Sequence, residues 1–325
     1  MERLVDGLGK ATSGNGCCIG ICGPAGVGKT YLLRKLEKTA GGLGFSVLKS
    51  SCEPGAGPKE VFSTLLTYSS SSVTDMEHPL FLLELLETLS NVGPVLLTIE
   101  DIHFAETPVI SVLILMARNL GERRVMIAFT YDCDKVDTSY GDVHPLVDGL
   151  RILTREGKYE EIKLHAMSRP SLLELVEDDV RGQIDPSLAD LLWERSEGNP
   201  MVAVEAIRLL IQSKMVHKIG GVWRPVGPLS LDLPDNYRAM LESRLGMLAA
   251  EDIELLTLAA VAGRSFDPWV IAKVQDRKPL EVLEQLDRLA HDHHILEEDC
   301  ERYRFSSNGI RSVILDSITE KRKKD

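Results

Sequence analysis

The chain has 325 residues, 44% of them hydrophobic and 26% charged, with a formal net charge of −12. That length exceeds what one core ordinarily serves and points to two or three domains of a soluble globular protein, with no apolar run near the ~20 residues that a membrane span needs. The negative balance argues against nucleic acid as a partner of the whole surface, and the opening Met1-Glu2-Arg3 begins an amphipathic stretch instead of a signal peptide, which points to the cytoplasm.

The first strong signal is a β-prone run, Cys18-Ile19-Gly20-Ile21-Cys22, followed at once by Gly23-Pro24-Ala25-Gly26-Val27-Gly28-Lys29-Thr30. That octapeptide is a complete G-x-x-x-x-G-K-[ST] match. Its glycines allow backbone N–H groups to turn around phosphate oxygens, Lys29 can reach the β and γ phosphates, and the Thr30 hydroxyl can ligate Mg²⁺. Tyr31 onward then places Leu32, Leu33 and Leu36 on one helical face, so the loop opens a helix whose positive N-terminus points at the phosphates. The predicted ligand is therefore a nucleoside triphosphate with Mg²⁺, held by residues 23–31.

Up to about residue 166 strand and helix signals alternate, with strands near 18–22, 45–49, 95–99, 125–130 and 160–164 and helices near 31–39, 59–68, 79–90 and 107–120. Alternation of this kind predicts a mostly parallel sheet covered by helices on both faces, an α/β fold of the P-loop NTPase kind. Pro58, Pro79 and Thr107-Pro108 mark helix starts, and Tyr68-Ser69-Ser70-Ser71-Ser72 reads as a loop. The apolar strand Val95-Leu96-Leu97-Thr98-Ile99 ends in Glu100-Asp101, two carboxylates at the sheet edge beside the phosphate loop. One suits Mg²⁺ and the other the attacking water. Spacing does not fix which; the assignment adopted puts Asp101 on the metal with Thr30, and Glu100 near the water.

From about 167 helices dominate. Starts at Ser168-Arg169-Pro170, Pro186 and Pro200 give three helices, and Val216 to Pro225 reads as a hairpin around Gly220-Gly221. After Leu233-Pro234-Asp235 come helices near 236–247, 250–262 and 279–291, a hairpin pairing 294–298 with 302–305, and a closing helix. Three short helices followed by a hairpin suggest a winged helix. The expected division is thus 1–166 for the nucleotide-binding domain, 167–230 for a helical lid ending in a hairpin, and 231–325 for a winged-helix-like domain. Cys17, Cys18, Cys22, Cys52, Cys133 and Cys300 form no C-x-x-C pair and read as reduced thiols.

The phosphate loop, Ile99-Glu100-Asp101-Ile102-His103-Phe104-Ala105-Glu106, Glu197-Gly198-Asn199-Pro200 and Leu233-Pro234 fall in the order seen in STAND-class AAA-like ATPases, the class that includes the ATPase part of large LuxR-type regulators. Ala259 to Phe266 and Tyr303-Arg304-Phe305 also resemble family segments. The resemblance implies an α/β domain, a lid and a winged helix that clamp ATP or ADP, with Pro200 packed on the adenine. It also implies sensor and effector domains or subunits as partners. Read without it, Gly198-Asn199-Pro200 is helix punctuation, and His103 is equally a packed histidine.

Three departures from the family matter. The Gly-Arg-Glu-like segment often found before the first helix has no counterpart, so weaker base contacts are expected. The γ-phosphate-sensing arginine after the fourth strand is replaced by Asp132, which predicts slow hydrolysis unless Arg123, Arg124 or another chain supplies the cation. A winged-helix histidine aligns with Ser307. Residues 247–325 hold 12 Lys or Arg against 16 Asp or Glu, which speaks against a DNA-reading initiator ATPase, while Asp132 keeps open a non-hydrolysing scaffold.

Overall fold

The computed structural model describes residues 1–66, 79–136, 144–227, 237–299 and 301–324. The expected loop at Tyr68–Ser72, Leu233-Pro234-Asp235 and Cys300 lie outside them. The chain divides into two compact units, Met1–Met167 and Ser168–Asp325.

In the first unit the order is α1 (Glu2–Thr12), β1 (Cys17–Cys22), α2 (Lys29–Gly42), β2 (Ser46–Ser51), α3 (Pro58–Val61), α4 (Ser63–Leu66), α5 (Pro79–Val92), β3 (Val95–Glu100), a 3-10 turn (Ile102–Phe104), α6 (Thr107–Arg118), β4 (Val125–Tyr131), α7 (Cys133–Val136), α8 (Pro145–Arg155) and β5 (Glu160–Lys163). The strands form one parallel sheet in the order β2-β3-β4-β1-β5. Every residue of β4 and Val95 to Ile99 of β3 are buried, as a parallel sheet covered on both faces requires.

The period of two along the strands sorts their side chains into two layers. Ile19, Ile21, Leu96, Met126 and Ala128 pack with Leu4 and Leu8 of α1 and Leu33 and Leu36 of α2. Cys18, Leu97, Ile99, Ile127 and Phe129 pack on the other side with α5, α6 and α8. The amphipathic opening of the chain is thus a whole core helix. Sequence reading gave no element at α8, although Leu146, Leu150 and Leu153 recur at helical spacing and are buried. The helix expected at 59–68 is broken at Phe62 into α3 and α4. Cys17, Cys18, Cys22, Cys52 and Cys133 are free thiols.

The second unit runs α9 (Arg169–Asp179), β6 (Gln183–Ile184), α10 (Pro186–Ser196), α11 (Pro200–Gln212), β7 (Val216–Ile219), β8 (Val222–Pro225), α12 (Tyr237–Gly246), α13 (Ala250–Ala262), β9 (Ser265–Phe266), α14 (Pro268–Val274), α15 (Pro279–His291), β10 (Leu296–Asp299), β11 (Arg302–Phe305) and α16 (Asn308–Lys324). The hairpin around Gly220-Gly221 gains a third strand, because β6 pairs parallel with β8. A strand and a helix, β9 and α14, stand between α13 and α15 where none was expected, and β9 completes a three-stranded antiparallel sheet in the order β10-β11-β9. Glu205 of α11 and Arg244 of α12 form an ion pair inside this unit, and Arg244 also donates to the His293 carbonyl.

Candidate functional site

The site grows from the C-terminal edge of the parallel sheet, where β1 gives way to the loop 23–28 and β3 ends in its two acids. The loop has a backbone that glycine alone suits at two points. Gly23 has φ 159° and a Cβ there would stand 2.9 Å from the Leu164 carbonyl oxygen and 2.9 Å from Val27 Cγ1, so the close crossing of loop and chain demands a bare backbone. Gly28 has φ 104° with open space where its Cβ would be, so its demand is conformational: the left-handed turn aims the first amides of α2 back into the loop. Val27 is buried and anchors the loop, whereas Pro24, Ala25 and Gly26 lie nearer solvent. Tyr31 is 71% exposed on the first turn of α2.

Lys29 is nearly buried, and its ammonium donates to the carbonyl oxygens of Gly23 at 2.7 Å and Pro24 at 2.9 Å. Burial lowers its pKa, while Asp132 and Asp101 act in the opposite direction and Lys135 adds to the lowering. Thr30, one residue on, donates its hydroxyl to Glu100 Oε2 at 3.2 Å. A hydroxyl and a carboxylate side by side at the mouth of a phosphate loop are the hard oxygen donors that Mg²⁺ takes. The loop and this pair fit a magnesium-bound phosphate chain.

Asp101 leaves the strand in the left-handed conformation, φ 57°, tolerable for aspartate at a cost of about 1 kcal/mol or more. Its amide donates to Thr130 Oγ1 at 2.9 Å, tying the end of β3 to β4, and its carbonyl accepts from Phe104 to close the 3-10 turn.

His103, left undecided by the sequence, is buried inside the site. Its Nδ1 accepts from the amide of Asp132 at 3.3 Å, which puts the ring proton on Nε2. Burial, with help from Lys135 and Lys29, lowers its pKa to about 3, so the ring stays neutral. Asp132 is buried, and its Oδ1 accepts from the Asp134 amide at 3.1 Å, capping the short α7. Lys135, on that helix, stands with Nζ 4.6 Å from the centroid of Phe104, whose ring lies 4.2 Å from that of His103. Sequence reading missed Lys135, because the run Asp132-Cys133-Asp134 advertises an acidic strand end.

Arg123 and Arg124 precede β4 and lie at the opposite edge of the sheet. Arg123 donates to the Asn119 carbonyl at 2.7 Å and Arg124 to that of Ser90 at 2.9 Å. Neither is placed to supply a cation to the phosphate loop of its own unit, which corrects that expectation. Pro200 belongs to the second unit, where it is the buried first residue of α11 behind the Asn199 cap, whose Oδ1 accepts from Met201 at 3.1 Å.

Residues 12–136 match a family model described as an AAA domain. Across 93% of its length the chain is similar to the crystal structure of a STAND protein (Signal Transduction ATPase with Numerous Domains) with a tetratricopeptide repeat sensor from Pyrococcus horikoshii, at 16% identity and a TM-score of 0.57. The chain spans 40% of that protein. It is also similar to the Holliday junction branch migration motor RuvB of Thermotoga maritima, at 15% identity over 96% of this chain and 92% of that one, with a TM-score of 0.41. No curated protein matches it significantly. No helix among the described residues is long and apolar enough to cross a membrane.

Proposed function

We propose that this chain, an AAA-type P-loop protein with the fold of a STAND ATPase, is an ATP-binding and slowly hydrolysing signalling switch. The observation that carries the reading is the Thr30 to Glu100 hydrogen bond at the mouth of the loop that Lys29 closes. It joins the magnesium-ligating hydroxyl of the loop to a carboxylate 70 residues away, the coupling that metal-assisted phosphoryl chemistry needs.

Within this reading residues 23–31 hold the phosphates, with the loop amides and Lys29 as donors. Thr30 and Glu100 would hold Mg²⁺, which would supply charge neutralisation and polarise a phosphorus–oxygen bond. The contact of Glu100 with Thr30 favours Glu100 as the metal-side carboxylate and Asp101 as the one facing water, the reverse of the sequence assignment. Asp132 supplies a negative charge where a transferring phosphoryl group calls for a positive one, and turnover is slow for that reason.

The second unit is read as the closing part: 167–230 as a lid that offers Pro200 to the base, and 231–325 as a winged helix. The order α13, β9, α14, α15, β10, β11 supports the latter. ATP and ADP would favour different arrangements of these parts, and sensor domains or subunits of the kind named for the Pyrococcus protein would bias them. The acidic balance of 247–325 favours a regulatory clamp over a DNA reader. A non-hydrolysing scaffold is the second reading, favoured by the buried carboxylate of Asp132.

The decisive experiment is the identity and phosphate count of the nucleotide that copurifies, followed by single-turnover incubation with ATP and Mg²⁺. Bound ADP and slow release of phosphate support the switch. Bound ATP that survives many hours supports the scaffold, and failure to bind either nucleotide removes both.

A further inference from the structure

In the second unit, helix α15 and the β10–β11 hairpin bring together three side chains of unlike chemistry. Asp287 and His291 lie one turn apart on α15 and share a face of it. Glu298 comes from β10, directly opposite Tyr303 of β11 in the antiparallel register. One oxygen from each carboxylate and one ring nitrogen of His291 lie within 4.8 Å of one another.

Each donor is oriented from behind. His291 Nδ1 stands 3.0 Å from the Asp287 carbonyl oxygen, which can only accept, so Nδ1 carries a proton and Nε2 is the atom left to face the acids. Nε2 lies 3.7 Å from Glu298 Oε1. In the neutral ring this sets a lone pair against a carboxylate, an arrangement that repels until a cation enters between them. Asp287 is held by Tyr303, whose hydroxyl donates to Oδ1 and whose nearly buried ring stacks on Phe266. Burial, then Asp287 and Glu298, raise the Tyr303 pKa, so the phenol keeps its proton and goes on donating. Among the described residues neither carboxylate is paired with a lysine or an arginine.

We propose that Asp287, His291 and Glu298 form a Zn²⁺ site that fastens α15 to the β10–β11 hairpin. The imidazole separates this group from the acidic clusters common on protein surfaces: Mg²⁺ and Ca²⁺ take oxygen donors, whereas one nitrogen with two carboxylate oxygens is a set that zinc accepts. Three protein donors leave a fourth tetrahedral position for water. Donors held about 2.1 Å from a tetrahedral ion stand about 3.4 Å apart, so the 3.7 Å between Nε2 and Oε1 asks for only a small movement of two exposed side chains. The backbone carbonyl behind Nδ1 and the hydroxyl behind Oδ1 are the outer partners that fix the aim of a metal-binding histidine and carboxylate.

The test is calorimetric titration of the metal-free full chain with zinc chloride alone, in wild type, His291→Ala, Glu298→Gln and Tyr303→Phe, with thermal melts of each protein beside it. His291→Ala and Glu298→Gln change exposed side chains and should fold as wild type does, yet each should lose one equivalent of bound Zn²⁺. Tyr303→Phe keeps the packed ring and removes only the hydroxyl behind Asp287, so it should keep that equivalent and bind it roughly tenfold more weakly or worse. Zinc should raise the melting temperature of wild type and raise that of His291→Ala by less, since only a folded site binds the ion. Equal stoichiometry and affinity in wild type and the two ligand variants would overturn the assignment, as would binding by wild type only in millimolar zinc. Displacement of the zinc by excess Mg²⁺ would also overturn it, by showing an acidic surface patch that makes no use of the imidazole.

Discussion

Thr30 Oγ1 donates to Glu100 Oε2 across 3.2 Å, joining the first turn of α2 to the last residue of β3. Glu100 therefore shares the hydroxyl expected to ligate Mg²⁺, whereas the carboxylate of Asp101 acts on the charge of Lys29. The expected outcome of Glu100→Gln is ATP binding that responds far less to Mg²⁺. Asp101→Asn should keep the Mg²⁺ dependence and lower phosphate release, because it removes a charge and not a metal ligand. Titration of ATP at several Mg²⁺ concentrations, beside steady-state phosphate release, checks both. The opposite pattern restores the sequence assignment, with Asp101 on the metal.

Lys29→Ala removes the one ammonium enclosed by the loop. A charge-assisted hydrogen bond contributes about 1.5–3 kcal/mol, so ATP affinity should fall roughly ten- to a hundredfold, and ADP affinity should fall as well because the β phosphate loses the same donor. The ammonium also bonds the Gly23 and Pro24 carbonyls, so a small drop in melting temperature should accompany the loss. Unchanged affinity in a calorimetric titration would mean that the loop is not the site.

Much of the first unit was legible because its signals are local. The phosphate loop, the apolar strands 95–99 and 125–130 and the Pro-marked helix starts each lie within a few residues of one another. What escaped was set by distance along the chain. Helix α8 carries its apolar period in only three leucines, Leu146, Leu150 and Leu153, spread over eleven residues. The 3-10 turn brings His103 to Asp132, 29 residues later, and no spacing in the sequence announces that bond. Lys135 was hidden by its acidic neighbours. In the second unit β9 is two residues long, too short for a period of two to register. Which carboxylate meets Thr30 depends on side-chain direction at a strand end, which adjacent positions 100 and 101 cannot reveal.

Asp132 was expected to slow hydrolysis by standing where a cation belongs, so that Asp132→Arg would raise turnover. The structure gives Asp132 further duties: it is buried, it caps α7 through Asp134, and it acts on the charge of Lys29 more strongly than any other carboxylate. A buried arginine there would lose the cap and face Lys29. Asp132→Arg should therefore lower the melting temperature and give no gain in turnover. Asp132→Asn keeps a capping oxygen and removes the repulsion, so it should tighten ATP binding a few fold. A stable, faster Asp132→Arg protein would show that the arginine finds the γ-phosphate after all.

Glu205 and Arg244 are 3% and 2% exposed, and their ion pair links α11, which starts at Pro200, to α12. Burial lowers the Arg244 pKa to about 10, with Asp179 opposing, so the arginine stays charged at neutral pH. Removing one partner of a buried pair costs about 3–5 kcal/mol, whereas replacing both with apolar groups of similar volume is often neutral. Glu205→Gln should lower the unfolding midpoint sharply, and Glu205→Leu combined with Arg244→Met should recover most of it. Denaturant melts of the three variants decide the matter. A double variant as unstable as the single one would show that the pair is held for its hydrogen bond to His293 and not for mutual neutralisation.

His103 gives the first unit a dependence on pH whose sign is fixed. Burial, then Lys135 and Lys29, holds the folded imidazole at about 3, below its ordinary 6.5. Between those two values the unfolded chain binds a proton that the folded chain does not, so stability is full above about 6.5 and is lost progressively as pH falls toward 3. His103→Asn removes the titrating group and leaves an oxygen that can accept from the Asp132 amide. It should melt below wild type at pH 7.5, because a packed ring is lost, and the gap should narrow steadily at pH 6 and pH 5, the two curves converging as the wild type alone pays for protonation. Thermal melts of both proteins at the three pH values measure the gap. A gap that stays constant would mean that the ring titrates alike in the folded and unfolded chains, and that His103 is neither buried nor flanked by cations as the structure has it.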